Sequence, residues 1–408
     1  MGADVNTPQS PCTPLHEACY YNNLECAKIL IKYGSNINAL NDMKRTPLHI
    51  ACQEGNIACT KLLLELGADV NTPQNTMPPL HLACMKNKVE CAEILLKHGA
   101  NINALIEGIR TPLICSCFSG SIDCTKLLLK MGADVHAPQG QTTSLHIACQ
   151  EDKVECAELL IKYGANINAL NEANRTPLQF SCLNGNIDCT KLLLKLGADV
   201  HAPRGQTTAL HIACQGDKVE CAEILIKYGA NINVLNQYRT TPLHSCCYSG
   251  SMLCIELLLK MGADVKTPLS LRTPLHESCL QNKMECAEML IKYGANVNAG
   301  DTRGNSIDLC LYKGFIAFVK LFLNIGADIE ARLNITTEQG TSLHIAAMAK
   351  NLEMAKLLIE YDQSAAQPVV LKDLCRRQIR ASLGSNRLKF LPNFNIPRRI
   401  WLYLMHRA

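Results

Sequence analysis

The chain has 408 residues, 48% hydrophobic, 5% aromatic and 19% charged, with a formal net charge of +4. That is enough apolar material for two or three ordinary domains or for one long array. There is no basic-then-apolar leader and no apolar run long enough to cross a bilayer, so neither a signal peptide nor a membrane span is expected.

The 23 cysteines are odd in number and come without an export signal, which points to reduced thiols in a cytoplasmic protein. The charge is uneven. Residues 371–408 hold nine Lys or Arg against one acid, Asp373, while residues 1–370 hold 31 against 35. Such a break marks a module boundary.

The chain opens on MGADVNTPQS, which matches MGADVKTPLS at 261–270. It therefore starts part-way through a repeated unit, as an alternative or shortened start would. RTPLHIACQEGNIACTKLLLELGADVN (45–71) recurs as RTPLICSCFSGSIDCTKLLLKMGADVH (110–136) and RTPLQFSCLNGNIDCTKLLLKLGADVH (175–201), with sister copies between them. Thr-Pro-Leu-His-type tetrads begin at 13, 46, 78, 111, 143, 176, 208, 241 and 273. A degenerate one begins at Asn305 and a last one at Thr341. The steps alternate between 33 and 32 residues, so the true period is 65.

Each unit predicts two short helices. Thr46 can cap the first, and Pro47 sits where no amide donor is needed. Leu48, Ala51 and Cys52 give that helix one apolar face, and Gly55 ends it. In the second helix the same spacing picks out Cys26, Ile29, Leu30 and Tyr33. Gly34 follows, suited to a left-handed cap. One such unit cannot bury its face alone, so stacking is required. In the tenth unit Asn305-Ser306-Ile307-Asp308 replaces the tetrad, and Phe315, Phe318 and Phe322 stand where earlier copies have smaller residues.

Eighteen cysteines fall in two registers, Cys19 to Cys279 in the first helices and Cys26 to Cys286 in the second. No C-x-x-C pair occurs, so packing is expected and a metal site is not. Eight equivalent tetrad histidines point to structure rather than catalysis. With no phosphate loop, nucleophile elbow or H-E-x-x-H motif, no catalytic residue and no cofactor is expected.

The T-P-L-H-x-A motif at a period near 33 closely resembles the ankyrin repeat, over residues 1–362. The resemblance implies an all-α ankyrin-repeat solenoid of about eleven helix-turn-helix repeats with projecting turns. It also implies that the tetrad His bonds backbone and steadies the turn. In that family, residues that differ between copies line the turn tips and the concave face. Here these are Arg45, Arg110, Arg175, Arg239 and Arg272 before the tetrads and Tyr20, Phe118 and Tyr248 after the first helices, candidates for holding a protein substrate. Nucleic acid is an unsuitable partner for an acidic array with few aromatics.

Residues 371–383 read as an amphipathic helix with Leu371, Leu374, Cys375 and Ile379 on one stripe. Gly384 ends it, two prolines follow, and a last short helix starts at Pro397. So short a stripe needs a surface to dock on. LKDLCRRQIR, with the downstream LP, IP and YL, resembles a SOCS box, a small three-helix module. The resemblance implies that Leu371, Leu374, Cys375 and Ile379 insert into elongin C of elongin B/C. It further implies that Leu391, Pro392, Ile396 and Pro397 contact a cullin with its RING protein, cullin-5 by family habit. The proline stretch is looser here, since three residues separate its two dipeptides. The order array (1–362), linker (363–370), box (371–408) resembles the ankyrin repeat and SOCS box protein family. The implied function is substrate recognition for a ubiquitin ligase, without catalysis. The alternatives are an ankyrin scaffold without ligase recruitment and, third, a basic tail that targets nucleic acid.

Overall fold

The computed structural model describes residues 5–6, 12–71, 77–106, 110–138, 141–266, 272–301, 304–327, 343, 346 and 351–364. Among them the regular structure is almost wholly helical. Helices come in pairs, a first of seven or eight residues and a second of nine, from Pro14–Tyr20 and Leu24–Lys32 to Ser306–Lys313 and Ile316–Asn324. A further helix spans Leu352–Ser364. The one strand pair is a two-residue ladder, Gly300–Asp301 against Gly304–Asn305, antiparallel with Gly300 opposite Asn305.

The chain divides into two compact units, Met1–Ala213 with Glu220–Ala230, and Cys214–Val219 with Asn231–Ala408. The same physics builds each. In the first unit Thr46 caps Pro47–Glu54, with His49 completing a capping box: the Thr46 amide donates to Nδ1 at 2.9 Å. In the second, Thr241 and His244 repeat the arrangement at 3.1 Å. The core is a run of Leu, Ala and Cys. Leu48, Ala51 and Cys52 are fully buried, as the spacing predicts. Both cysteine registers are buried except Cys26, which is exposed.

The second-helix stripe differs from expectation at one end. Tyr33 is a C-cap and exposed, because Leu24–Lys32 has already ended. The buried trio is Cys91, Ala92 and Leu95 in the next sister copy. In the first pair Ile29 is exposed as well.

Helices of seven to nine residues cannot satisfy their own ends. Here a neighbour does it. In the first unit Asn87 and Asp152 take left-handed φ values of 53° and 51° and accept from the amides of Cys124 and Cys189, at 3.1 and 3.2 Å. Those amides start the next repeat's second helix. In return, Ser121 Oγ donates to the Met85 carbonyl and Asn186 Nδ2 to the Cys149 carbonyl. In the second unit Asp217 and Ser251 do the same, with the Cys254 amide and the Gln215 carbonyl. This reciprocal capping runs from a sister copy to the copy after it.

The alternate interface is built differently. Gly55 and Gly120 replace the Asn or Asp, and the aliphatic stems of Lys88 and Lys153 lie against them. Buried Thr60, Thr125 and Thr190 reach only a sulfur across it, Cys91, Cys156 and Cys221, at 3.6 to 3.8 Å. Two kinds of interface therefore alternate, which is the physical content of the 65-residue period.

The tenth unit keeps its cap despite losing the tetrad. The Asn305 amide donates to Asp308 Oδ2 and the Asp308 amide to Asn305 Oδ1, both at 3.0 Å. Phe318 and Phe322 are buried in its second helix. Within single repeats, Thr125 Oγ1 donates to Ser116 Oγ at 2.9 Å, and Ser249 and Ser251 share a hydroxyl contact at 2.6 Å.

Candidate functional site

The turns before each tetrad are tied to the preceding repeat by its histidine. His16 Nε2 bonds the Arg45 carbonyl at 2.9 Å, His146 the Arg175 carbonyl at 2.9 Å, and His81 the Ala104 and Arg110 carbonyls at 3.1 and 3.2 Å. In the second unit His244 bonds the Arg272 carbonyl at 2.8 Å. The rings of His16, His146 and His244 each accept a Thr amide at Nδ1, which leaves the proton on Nε2 and the ring neutral; His81 follows Pro78, which has no amide to offer. Burial agrees, holding His81 and His49 down at about 4.

Besides the tenth unit, where Asp308 takes the place, two copies lack the histidine. Gln179 fills both roles, accepting from the Thr176 amide and donating to the Thr207 carbonyl. Ile114 fills neither. It has no donor to offer the turn that follows, and it presents apolar surface instead.

A groove of about 680 Å³ lies at that place in the first unit. Its walls come from four successive repeats. Met85, Ile114, Phe118, Ile147 and Phe180 supply the apolar lining from first helices, with Cys115 and Gln150. Met77, Arg110, Gln141, Thr142 and Glu172 enter from the turns. Phe180 is fixed edge-on against the His146 ring, with centroids 5.2 Å apart. Burial pushes the Cys115 thiol up to about 11, so it is a neutral lining group.

Two shallower hollows lie elsewhere. One, of about 400 Å³, is in the first unit beside Tyr21 and Ile29, and one, of about 410 Å³, is in the second beside Met252 and Tyr293.

Arg45, Arg110, Arg175 and Arg272 share one register, immediately before the tetrad. Arg239 does not. With φ of 59° it occupies the left-handed turn position of Lys44 and Asn174, and Thr240 stands where the other arginines do. Arg45 Nη1 is committed to Gln53 at 2.7 Å. Tyr20, Phe118 and Tyr248 are 51%, 53% and 53% exposed. Of these eight residues only Arg110 and Phe118 line the large groove. Ile114, Ile147, Phe180, Gln141 and Glu172 were missed as a set. The broken tetrad RTPLI was the one sequence signal pointing at them. Leu371, Leu374, Cys375, Ile379, Leu391, Pro392, Ile396 and Pro397 lie outside the described residues, as does the rest of the three-helix box.

Comparison with known families accounts for both parts. The family described as "Ankyrin repeats (3 copies)" matches residues 1–74, 69–139, 136–204 and 201–269, and "Ankyrin repeat" matches 270–302 and 340–370. "SOCS box" matches 367–405. The chain belongs to the ankyrin repeat and SOCS box family. Members of such a family are substrate receptors of cullin ubiquitin ligases in general, non-catalytic by type. The SOCS box implies elongin B/C and a cullin, and the ankyrin repeats imply a protein partner. A crystal structure of the human ASB11 ankyrin repeat domain is similar at 29% identity, covering 64% of this chain and 100% of that chain, with a TM-score of 0.44. No curated protein matches the chain. Among the described residues no helix is long and apolar enough to cross a membrane, and no group of three or more His, Cys, Asp or Glu is placed to hold a metal ion.

Proposed function

We propose that this protein is the substrate-recognition subunit of an elongin–cullin–SOCS-box ubiquitin ligase acting in the cytoplasm. Residues 1–362 hold a target protein, 363–370 link, and 371–408 recruit. Leu371, Leu374, Cys375 and Ile379 enter a groove on elongin C as one helical stripe. Leu391, Pro392, Ile396 and Pro397 meet the cullin, of the cullin-5 type. On the array, Arg110 and Phe118 contact the target, with Arg45, Arg175, Arg239, Arg272, Tyr20 and Tyr248 as further contacts. The receptor does no chemistry. It raises the effective concentration of target lysines near a charged ubiquitin-conjugating enzyme.

The observation that carries this reading is a SOCS box match over 367–405 directly behind the repeats. Leu371→Ala combined with Cys375→Ala should abolish co-purification of elongin B/C and leave the far-ultraviolet melt of the repeats unchanged. Retained elongin in the double variant would leave the chain an ankyrin scaffold.

A further inference from the structure

From the groove beside Ile114 we infer the class of segment that this receptor captures: a short extended stretch of the target in which a bulky apolar side chain lies next to an acidic residue. The inference rests on the proposed role of the array in holding a target.

Four observations carry it. First, the groove occurs where a tetrad histidine is replaced by an aliphatic residue. Ile114 leaves the Thr142 carbonyl without the tie that His81 and His146 provide to the turns after them. The same substitution turns the floor apolar. Second, at about 680 Å³ it is larger than one side chain needs and falls within the size of sites that enclose a ligand. Phe118 stands half-exposed at its edge, an aromatic poised to cover an apolar anchor.

Third, the charges at the groove are unpaired with each other. The exposed Arg110 guanidinium has no hydrogen-bond or ion-pair partner among the described residues, whereas Arg45 in the same register is held by Gln53. A carboxylate beside the anchor gives Arg110 its partner. Glu172, which accepts from the Thr142 hydroxyl at 3.4 Å, disfavours a second acid at its own side. The segment is therefore acidic toward Arg110 and neutral or basic toward Glu172. Fourth, Gln141 Oε1 is buried at the groove with no hydrogen-bond partner. A buried acceptor left unmatched is costly, and a backbone N–H of an extended segment supplies the donor.

The test uses the full chain, co-purified with elongin B/C and immobilised, against an mRNA-displayed library of random eight-residue peptides. Enriched peptides should place Phe, Leu, Ile or Trp within about two residues of Asp or Glu. Phe118→Arg should weaken them at least about tenfold. Arg110→Glu, an exposed change, should exchange the acidic preference for Lys or Arg.

Ile114→His guards against loss through misfolding. It restores a donor for the Thr142 carbonyl, so it should melt no lower than the parent and still lose about tenfold in peptide binding. No enrichment over bare resin, a basic preference on the parent, or peptides indifferent to all three variants would each overturn the inference. Elongin retained on the same resin reads the ligase assignment separately. Peptides lost with elongin kept sinks the groove alone, and elongin lost with peptides kept sinks the ligase assignment alone.

Discussion

At the scale of the residue, the tetrad histidine joins two repeats through one neutral ring. Because burial lowers its pKa, its contribution to stability depends on pH in a definite direction. The folded value for His81 and His49 is about 4, against 6.5 for a free histidine. The unfolded chain therefore binds protons first. Stability is complete above pH 6.5 and is withdrawn as pH falls toward 4, by up to about 1.4 kcal/mol per pH unit for each such ring. Thermal melts should shift down between pH 7 and pH 5. Gln179 shows how to separate the two roles of the position, since it makes both hydrogen bonds and does not titrate. His146→Gln, which like Gln179 faces a threonine amide and a turn carbonyl, should stay within about 1 kcal/mol of the parent at pH 7.5 and lose less on acidification. An acid profile identical to the parent's would remove His146 from the account.

At the scale of the element, the short helices depend on neighbours for their caps. Asp152→Gly tests this at one junction. Glycine tolerates the left-handed φ but removes the acceptor for the Cys189 amide, so the change isolates the cap from backbone strain. We expect a cost of about 1 kcal/mol, seen as roughly fivefold faster hydrogen exchange at that amide, with Asp152→Asn near neutral. Equal exchange in parent and glycine variant would show the cap to be idle.

Much of this level was legible in advance. Thr46, Pro47 and Gly55 mark one helix, and Leu48, Ala51 and Cys52 its buried face, because cap chemistry and helical period are local. Tyr33 was misplaced because the period alone does not say where a helix stops. The groove was half legible. Arg110 and Phe118 vary between copies and so stood out, while Ile147 and Phe180 became part of a cavity only through the combined side-chain sizes of four repeats. The step of Arg239 to a different turn position depends on one backbone angle, which neighbouring sequence does not reveal.

At the scale of the whole molecule, the chain separates holding from recruiting. An array with 31 basic and 35 acidic residues precedes a segment with nine and one. That repeats are followed by a SOCS box was legible in composition and motif, since repeats and short docking stripes both announce themselves by spacing. What target the array holds was not visible, because recognition lies in the positions that the period leaves free.

The alternation of interfaces has a mechanical consequence. Junctions from a sister copy to the next are clasped between their helices in both directions, as between Asn87 and Cys124 with Ser121 and Met85, while the intervening ones lack that clasp and keep lysine stems, weak thiol contacts and the ties at the turns, such as His244 to the Arg272 carbonyl. Under tension the weak junctions part first, and the clasped pair is what lets go as one. Stretched in an optical trap, the array should lengthen in jumps of 65 residues, about 230 Å of contour, rather than in jumps of half that length.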